Sequence, residues 1–333
     1  MENKHKIKEL LEKLVKIDSP SGQESELANF LLNYTESIGF CPIKDEKNNI
    51  TINPESNFWI VTHMDTVSKK AEFRIDKDSA YGTGVCDAKG CITAILITLE
   101  KIKKLKFGVA FLVDEEEGGT GSEFVLRKFK PQIVIVMEPT SLRIANKHYG
   151  SLEIVLKIKG EEVHGAYFKH AKTAIDNAIL VINTLKAHGL NFLIQEIKGG
   201  SDEYLTPPEC FLRLDFPVPP EIKANNLKRR ILDTISNTLA LSDFEYKILE
   251  ECNGFTEQDP PKELITAMKL ADVMPQFAEM VSWTDAINFK KAGCKTVVWG
   301  PGDLRFCHTR YEKIKINEIH VASKVLYQLN NIL

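Results

Sequence analysis

Apolar residues are spaced differently in different parts of the chain, and the spacing predicts its elements. An amphipathic, charged stretch makes a helix over Lys4–Val15. Ser19-Pro20-Ser21-Gly22 then makes a turn, and a second helix runs over Glu24–Ile38. Four short, nearly unbroken apolar runs follow at intervals: Phe58–Thr62, Phe107–Val113, Ile133–Met137 and Lys295–Trp299. Each is expected to be a strand buried on both faces. Between the first two lie the loop Gly82-Thr83-Gly84 and a helix over Ala88–Lys103, with Asp87 placed as its N-cap. An acidic, glycine-bearing loop over Asp114–Gly121 precedes another helix from Ser122. Strands alternating with helices predict an α/β fold, a mostly parallel sheet with helices on both faces.

Near Tyr149 the pattern changes. Ser151–Lys159 alternates apolar and polar residues, as a half-solvated antiparallel strand does. A helix over Thr173–His188, strands near Phe192–Ile197 and Glu209–Phe216, and a helix over Ala224–Leu239 follow. The order describes a small α+β sandwich. The α/β pattern resumes after Asn253 and closes with a helix over Asn317–Asn331. We therefore expect a catalytic α/β domain from residues 1–148 and 253–333, interrupted by an inserted α+β domain of residues 149–252. Two domains suit a chain of 333 residues.

Composition narrows the function classes. Hydrophobic residues make up 43% and charged residues 27%, which excludes a disordered chain or a rod. With 43 basic and 46 acidic residues the net charge is −3, so no broad nucleic-acid surface is expected. The N-terminal segment lacks the apolar core of a signal peptide, and no apolar run approaches the ~20 residues of a membrane span. Seven scattered cysteines form no Cys-x-x-Cys pair and read as reduced, buried side chains. These features predict a cytoplasmic protein with neither membrane nor nucleic-acid partners.

In open α/β sheets ligands gather beyond the carboxyl ends of the strands. His63 and Asp65 follow the first apolar run, Asp114-Glu115-Glu116-Glu117 the second and Glu138 the third. Gly300-Pro301-Gly302-Asp303 and then His308 follow the fourth, and Asp87 heads a helix behind a glycine loop. So many acids in one partly desolvated place repel one another unless protons or cations intervene. Imidazole with carboxylate, without paired thiols, suits Zn²⁺ or a similar divalent ion. Three carboxylate ligands and one bridging hydroxide balance two such ions. Asp65, two residues from His63, is placed to fix the ring's tautomer and direction. Of the adjacent Glu115 and Glu116, one can bind metal while the other remains a free base. Gly82-Thr83-Gly84 fits neither common phosphate-binding glycine pattern, so no nucleotide cofactor is expected.

At these positions the sequence resembles the M20 metallopeptidases and deacylases. The matching stretches are Thr62-His63-Met64-Asp65-Thr66, Gly82 to Gly90, Asp114-Glu115-Glu116-Glu117-Gly118, Met137-Glu138-Pro139-Thr140, and Gly300-Pro301-Gly302 through His308 to Glu312. They occur in family order and span nearly the whole chain. The resemblance implies two zinc ions, with cobalt as a substitute, bridged by Asp87. His63 and Glu138 would complete one site, Glu116 and His308 the other. It makes Glu115 the general base and Asp65 the partner of His63. The inserted domain becomes a lid and dimerisation domain whose His164 reaches a partner's site and stabilises the oxyanion. The implied substrate is a small N-acyl amino acid, of the acetylornithine or acyl-lysine type in amino-acid biosynthesis. A dipeptidase or carboxypeptidase of the same fold and a non-catalytic binding protein are the alternatives. Two positions depart from the family pattern: Tyr204 stands for the usual Asn, and Pro217 for the usual Arg. Arg213 and Arg305 are candidate substitutes as carboxylate anchors, and Trp283 stands where the family has a small residue.

Overall fold

The computed structural model describes residues 2–333, which fall into two compact units. One holds residues through Lys147 together with Glu257–Met280 and Thr284–Leu333; the other holds His148–Thr256 and Val281–Trp283.

The larger unit is built on a sheet whose centre is parallel. Gly108–Leu112, Phe58–His63, Ile133–Val136 and Lys295–Val298 lie side by side in that order, all running the same way. Ile50–Ile52 and Pro42–Lys44 extend one side antiparallel. Ile144–His148, antiparallel to Lys295–Val298, continues the other and carries Phe277–Met280. The parallel strands are apolar throughout because both faces are covered. Ile60, Val109, Phe111, Ile135 and Val297 join a core with the helices Glu2–Lys16, Lys89–Leu99, Lys262–Leu270 and Ile316–Ile332. Trp59, Val61, Leu112, Val134, Val136 and Val298 are buried on the opposite face. There Ala286–Lys291 packs on two of the strands and Thr120–Lys128 packs on Ala286–Lys291.

Three local expectations are revised. The third helix spans Lys89–Leu99 and stops short of Lys103. Its N-cap residue is Ala88, with no side-chain cap, so Asp87 is not a helix cap and its carboxylate is left for other work. The helix before the third parallel strand begins at Thr120 rather than Ser122.

The second unit is a four-stranded antiparallel sheet in the order Leu193–Gly199, Glu209–Val218, Gly150–Lys159, Phe244–Glu251. Alternate residues Leu152, Ile154, Leu156 and Ile158 are fully buried and share one core with the helices Ala174–Ala187 and Ala224–Ser236. The other face is a charged ladder, where Lys157 meets Glu209 and Arg213 meets Glu153. Among the described residues no helix is long and apolar enough to cross a membrane.

Candidate metal centre

The strand ends of the larger unit bring their acids and imidazoles together. His63 is the last residue of its strand, and Glu138 lies two residues beyond Ile133–Val136. Glu115 and Glu116 lie on the turn after Gly108–Leu112. His308 follows a short helical turn at Leu304–Phe306 and has φ +61°. Asp87 ends an irregular loop that depends on Gly84. There φ is +79°, and a Cβ would come 2.6 Å from the Thr66 methyl, so any other residue would be strained and would have to displace Thr66.

The donors form two groups that share one acid. His63 Nε2 lies 3.0 Å from Asp87 Oδ1 and 3.6 Å from Glu138 Oε2. His308 Nε2 lies 2.8 Å from Glu116 Oε2 and 3.3 Å from Asp87 Oδ2. Ligands about 2.0–2.1 Å from a tetrahedral ion stand roughly 3.3 Å from one another, and these spacings straddle that value. Three further features fit divalent cations. The Nδ1 of His63 faces the Asp65 carbonyl at 3.0 Å, which can only accept, so Nδ1 carries the hydrogen. The Nε2 lone pair of the neutral ring then points at two carboxylates, a contact that needs a cation. Oε1 of Glu138 is buried and has no hydrogen-bond partner among the described residues. Finally, the buried carboxylates of Asp65, Asp87, Glu115 and Glu138, with that of Glu116, outnumber the two imidazoles.

Without cations the field of these acids acts on protons instead. Burial would lower the His63 imidazole, yet the Glu138 and Glu115 carboxylates carry it well above its ordinary value. Hydrogen bonds to Asp87 and Glu116 push His308 up to about 10. Burial pushes Glu138 up to about 8, and Asp87 and Asp285 add to the effect. Burial would raise Asp87 too, but His308 and His63 outweigh it and hold it far below the carboxylate range. Glu115 is raised well above its ordinary value by burial, with Glu138 and Asp285 contributing.

Asp65 joins the parts of the site. Its Oδ1 accepts the Glu115 amide at 3.1 Å, and its Oδ2 accepts the Glu116 amide at 3.0 Å and the Ser21 hydroxyl at 2.7 Å. Its carboxylate is 3.4 Å from the His63 ring, farther than its own carbonyl. Ser21 was not foreseen as part of the site; its only signal was the turn that contains it. Asp285 is another unforeseen member. The Ser122 hydroxyl donates to it at 2.5 Å, and the Asn288 amide donates to Ser122 and to the Gly119 carbonyl, which steadies the chain beyond Glu115–Glu116.

His164 belongs to the second unit and is exposed. Its Nδ1 accepts the Ala166 amide at 3.3 Å, and its ring meets Tyr204 edge-on with centroids 5.3 Å apart. The tyrosine that departs from the family pattern therefore touches this histidine. Pro217 is an exposed residue of the strand Glu209–Val218, and Trp283 is half-buried. Arg213 and Arg305 are already paired with Glu153 and Asp303 of their own units, which weakens both as substrate anchors.

Residues 59–331 match the profile of Peptidase family M20/M25/M40. A [LysW]-lysine/[LysW]-ornithine hydrolase of Saccharolobus solfataricus is 25% identical, over 96% of this chain and 94% of its own. A tripeptidase from Staphylococcus aureus superposes with a TM-score of 0.84 at 18% identity, covering 99% of this chain and 98% of that one. A Bacillus subtilis protein described as a dinuclear metal binding peptidase superposes with a TM-score of 0.73 at 14% identity, covering 99% and 98%.

Proposed function

The chain belongs to peptidase family M20/M25/M40, and from that membership we propose a zinc-dependent amidohydrolase acting on an N-acyl amino acid of the lysine or ornithine kind. The observation that carries this reading is the pair of donor groups, His63-Asp87-Glu138 and Asp87-Glu116-His308, sharing one carboxylate beside the buried Glu115. The likeness to the S. solfataricus hydrolase, over nearly the full length of both chains, supports the choice of amino acid.

Bound dications supply Lewis acidity and make a water acidic near neutral pH. Asp87 holds one oxygen toward each imidazole. The bond from His63 Nδ1 to the Asp65 carbonyl keeps Nε2 aimed inward. Glu115, raised by burial, takes the proton of the attacking water on a carboxylate oxygen and delivers it to the leaving amine nitrogen. His164 donates to the oxyanion of a partner's site. This role requires the homodimer that we propose through the second unit. There the edge strand Leu193–Gly199 exposes Leu193 and Ile197, and the helix Ala174–Ala187 exposes Ile179 and Leu180. Seven scattered cysteines without a Cys-x-x-Cys pair support a reducing, cytoplasmic setting.

The test is a substrate panel with Zn²⁺ or Co²⁺: acetylornithine, acetyl-lysine, succinyl-diaminopimelate and simple dipeptides. Turnover of the acyl-lysine or acyl-ornithine amides, lost on chelation, is the expected outcome. Cleavage of dipeptides alone would make the protein a peptidase. A chain that takes up no metal and turns over nothing would be a binding protein.

A further inference from the structure

We propose that Glu312 is a positioning residue of the metal centre, whose carboxylate grips the loop carrying Asp87 and aims the two Asp87 oxygens toward different imidazoles. The inference rests on reading this site as a metal centre. Glu312 is 1% exposed. Its Oε2 accepts the Gly84 amide at 3.0 Å, and its Oε1 accepts the amides of Cys86 at 2.9 Å and Asp87 at 3.1 Å. Residues 82–88 form neither helix nor strand, and within the loop itself Val85 donates to Gly82 at 3.3 Å. Glycines at φ +136° and +79° remove the conformational restraint that side chains would impose. The loop therefore takes its shape from outside, and one carboxylate collects three of its amides.

The same residue ties the second imidazole to the first. Its carbonyl accepts the Gly82 amide at 3.3 Å, and its own amide donates to Thr309, the neighbour of His308, at 3.2 Å. Asp87 Oδ1 and Oδ2 lie 3.0 Å and 3.3 Å from His63 and His308. A small rotation of the loop would move both contacts together, because one carboxylate serves both donor groups. Glu312→Gln keeps the size but replaces one acceptor oxygen with a group that only donates. Either the Gly84 amide or the Cys86–Asp87 pair would then face a donor.

The full-length protein is stripped of metal and titrated with Co²⁺. Bound ions are counted, visible absorption reports ligand geometry, and the melting of the metal-free chain reports the fold. The wild-type chain is expected to take up about two ions. Glu312→Gln is expected to weaken uptake 10–100-fold, the usual effect of losing a group that orients a ligand, and to alter the cobalt spectrum while the metal-free melt stays near wild type. Glu312→Ala, which loses all three amide contacts, should weaken it further. A Glu312→Gln chain with wild-type affinity and spectrum overturns the inference. So does one that cannot fold without metal, since the residue would then hold the domain rather than the centre. A wild-type chain that takes up no cobalt overturns this inference together with the reading beneath it.

Discussion

The Asp65 carboxylate faces the His63 ring, the Ser21 hydroxyl and the amides of Glu115 and Glu116. Losing it frees the amides of Glu115 and Glu116, while the Asp65 carbonyl still holds the His63 ring. Asp65→Ala should therefore weaken metal binding about 10–100-fold through the Glu116 side and also lower kcat through Glu115. Equilibrium dialysis alongside steady-state kinetics checks both; a variant with intact affinity would confine Asp65 to catalysis. Glu115 has the opposite profile. Its amide is anchored, but its carboxylate lies outside both donor groups. Glu115→Gln should cut turnover by at least about 10²–10⁴-fold while metal content stays near two ions per chain. Metal loss in that variant would move Glu115 into the ligand set. These acids were legible in the sequence because each stands just past an apolar run. Ser21 and Asp285 were not, because a serine in a turn and an acid near a helix start have many ordinary uses.

The helix Lys89–Leu99 is buried along its whole length, and its polar side chains are satisfied within the fold. Thr93 and Thr98 donate to carbonyls one turn back, and the Lys89 ammonium donates to the Ile17 carbonyl at 2.7 Å. Leu96→Ala should cost about 2–5 kcal/mol in denaturant unfolding, because such a site refills poorly. The apolar spacing predicts a helix that continues to Lys103. It ends at Leu99 because Glu100 is drawn into contacts with Tyr34 and Lys6, and the next amides bond three residues back. In the second unit, burial lowers His148 to about 4, and its ring stacks on Phe255. The unfolded chain takes up this proton below about pH 6.5. The neutral ring therefore adds stability above pH 6.5 that fades as the pH falls toward 4, by about 3 kcal/mol in all. Comparing wild type with His148→Gln in denaturant at pH 7 and 4.5 isolates this contribution. Equal losses in the two chains would dismiss it.

At the scale of the whole molecule, the exposed edge strand Leu193–Gly199 is the feature with the largest consequence. An uncapped edge bearing apolar side chains invites pairing. If it joins two copies, Ile197→Lys should leave a monomer in sedimentation analysis, and turnover should fall with it through the loss of a partner's His164. A monomeric wild type, or an active monomeric variant, would remove His164 from the mechanism. Chain order was enough to recognise the parallel sheet, the antiparallel insertion and the acids and imidazoles, since apolar periodicity and strand-end placement are short-range properties. It could not say which oxygen of Asp87 faces which imidazole, that the Asp65 carbonyl sets the His63 tautomer, or that Glu312 gathers amides from a loop more than two hundred residues earlier. Those are contacts between distant segments, and their geometry exists only after the chain has folded back on itself.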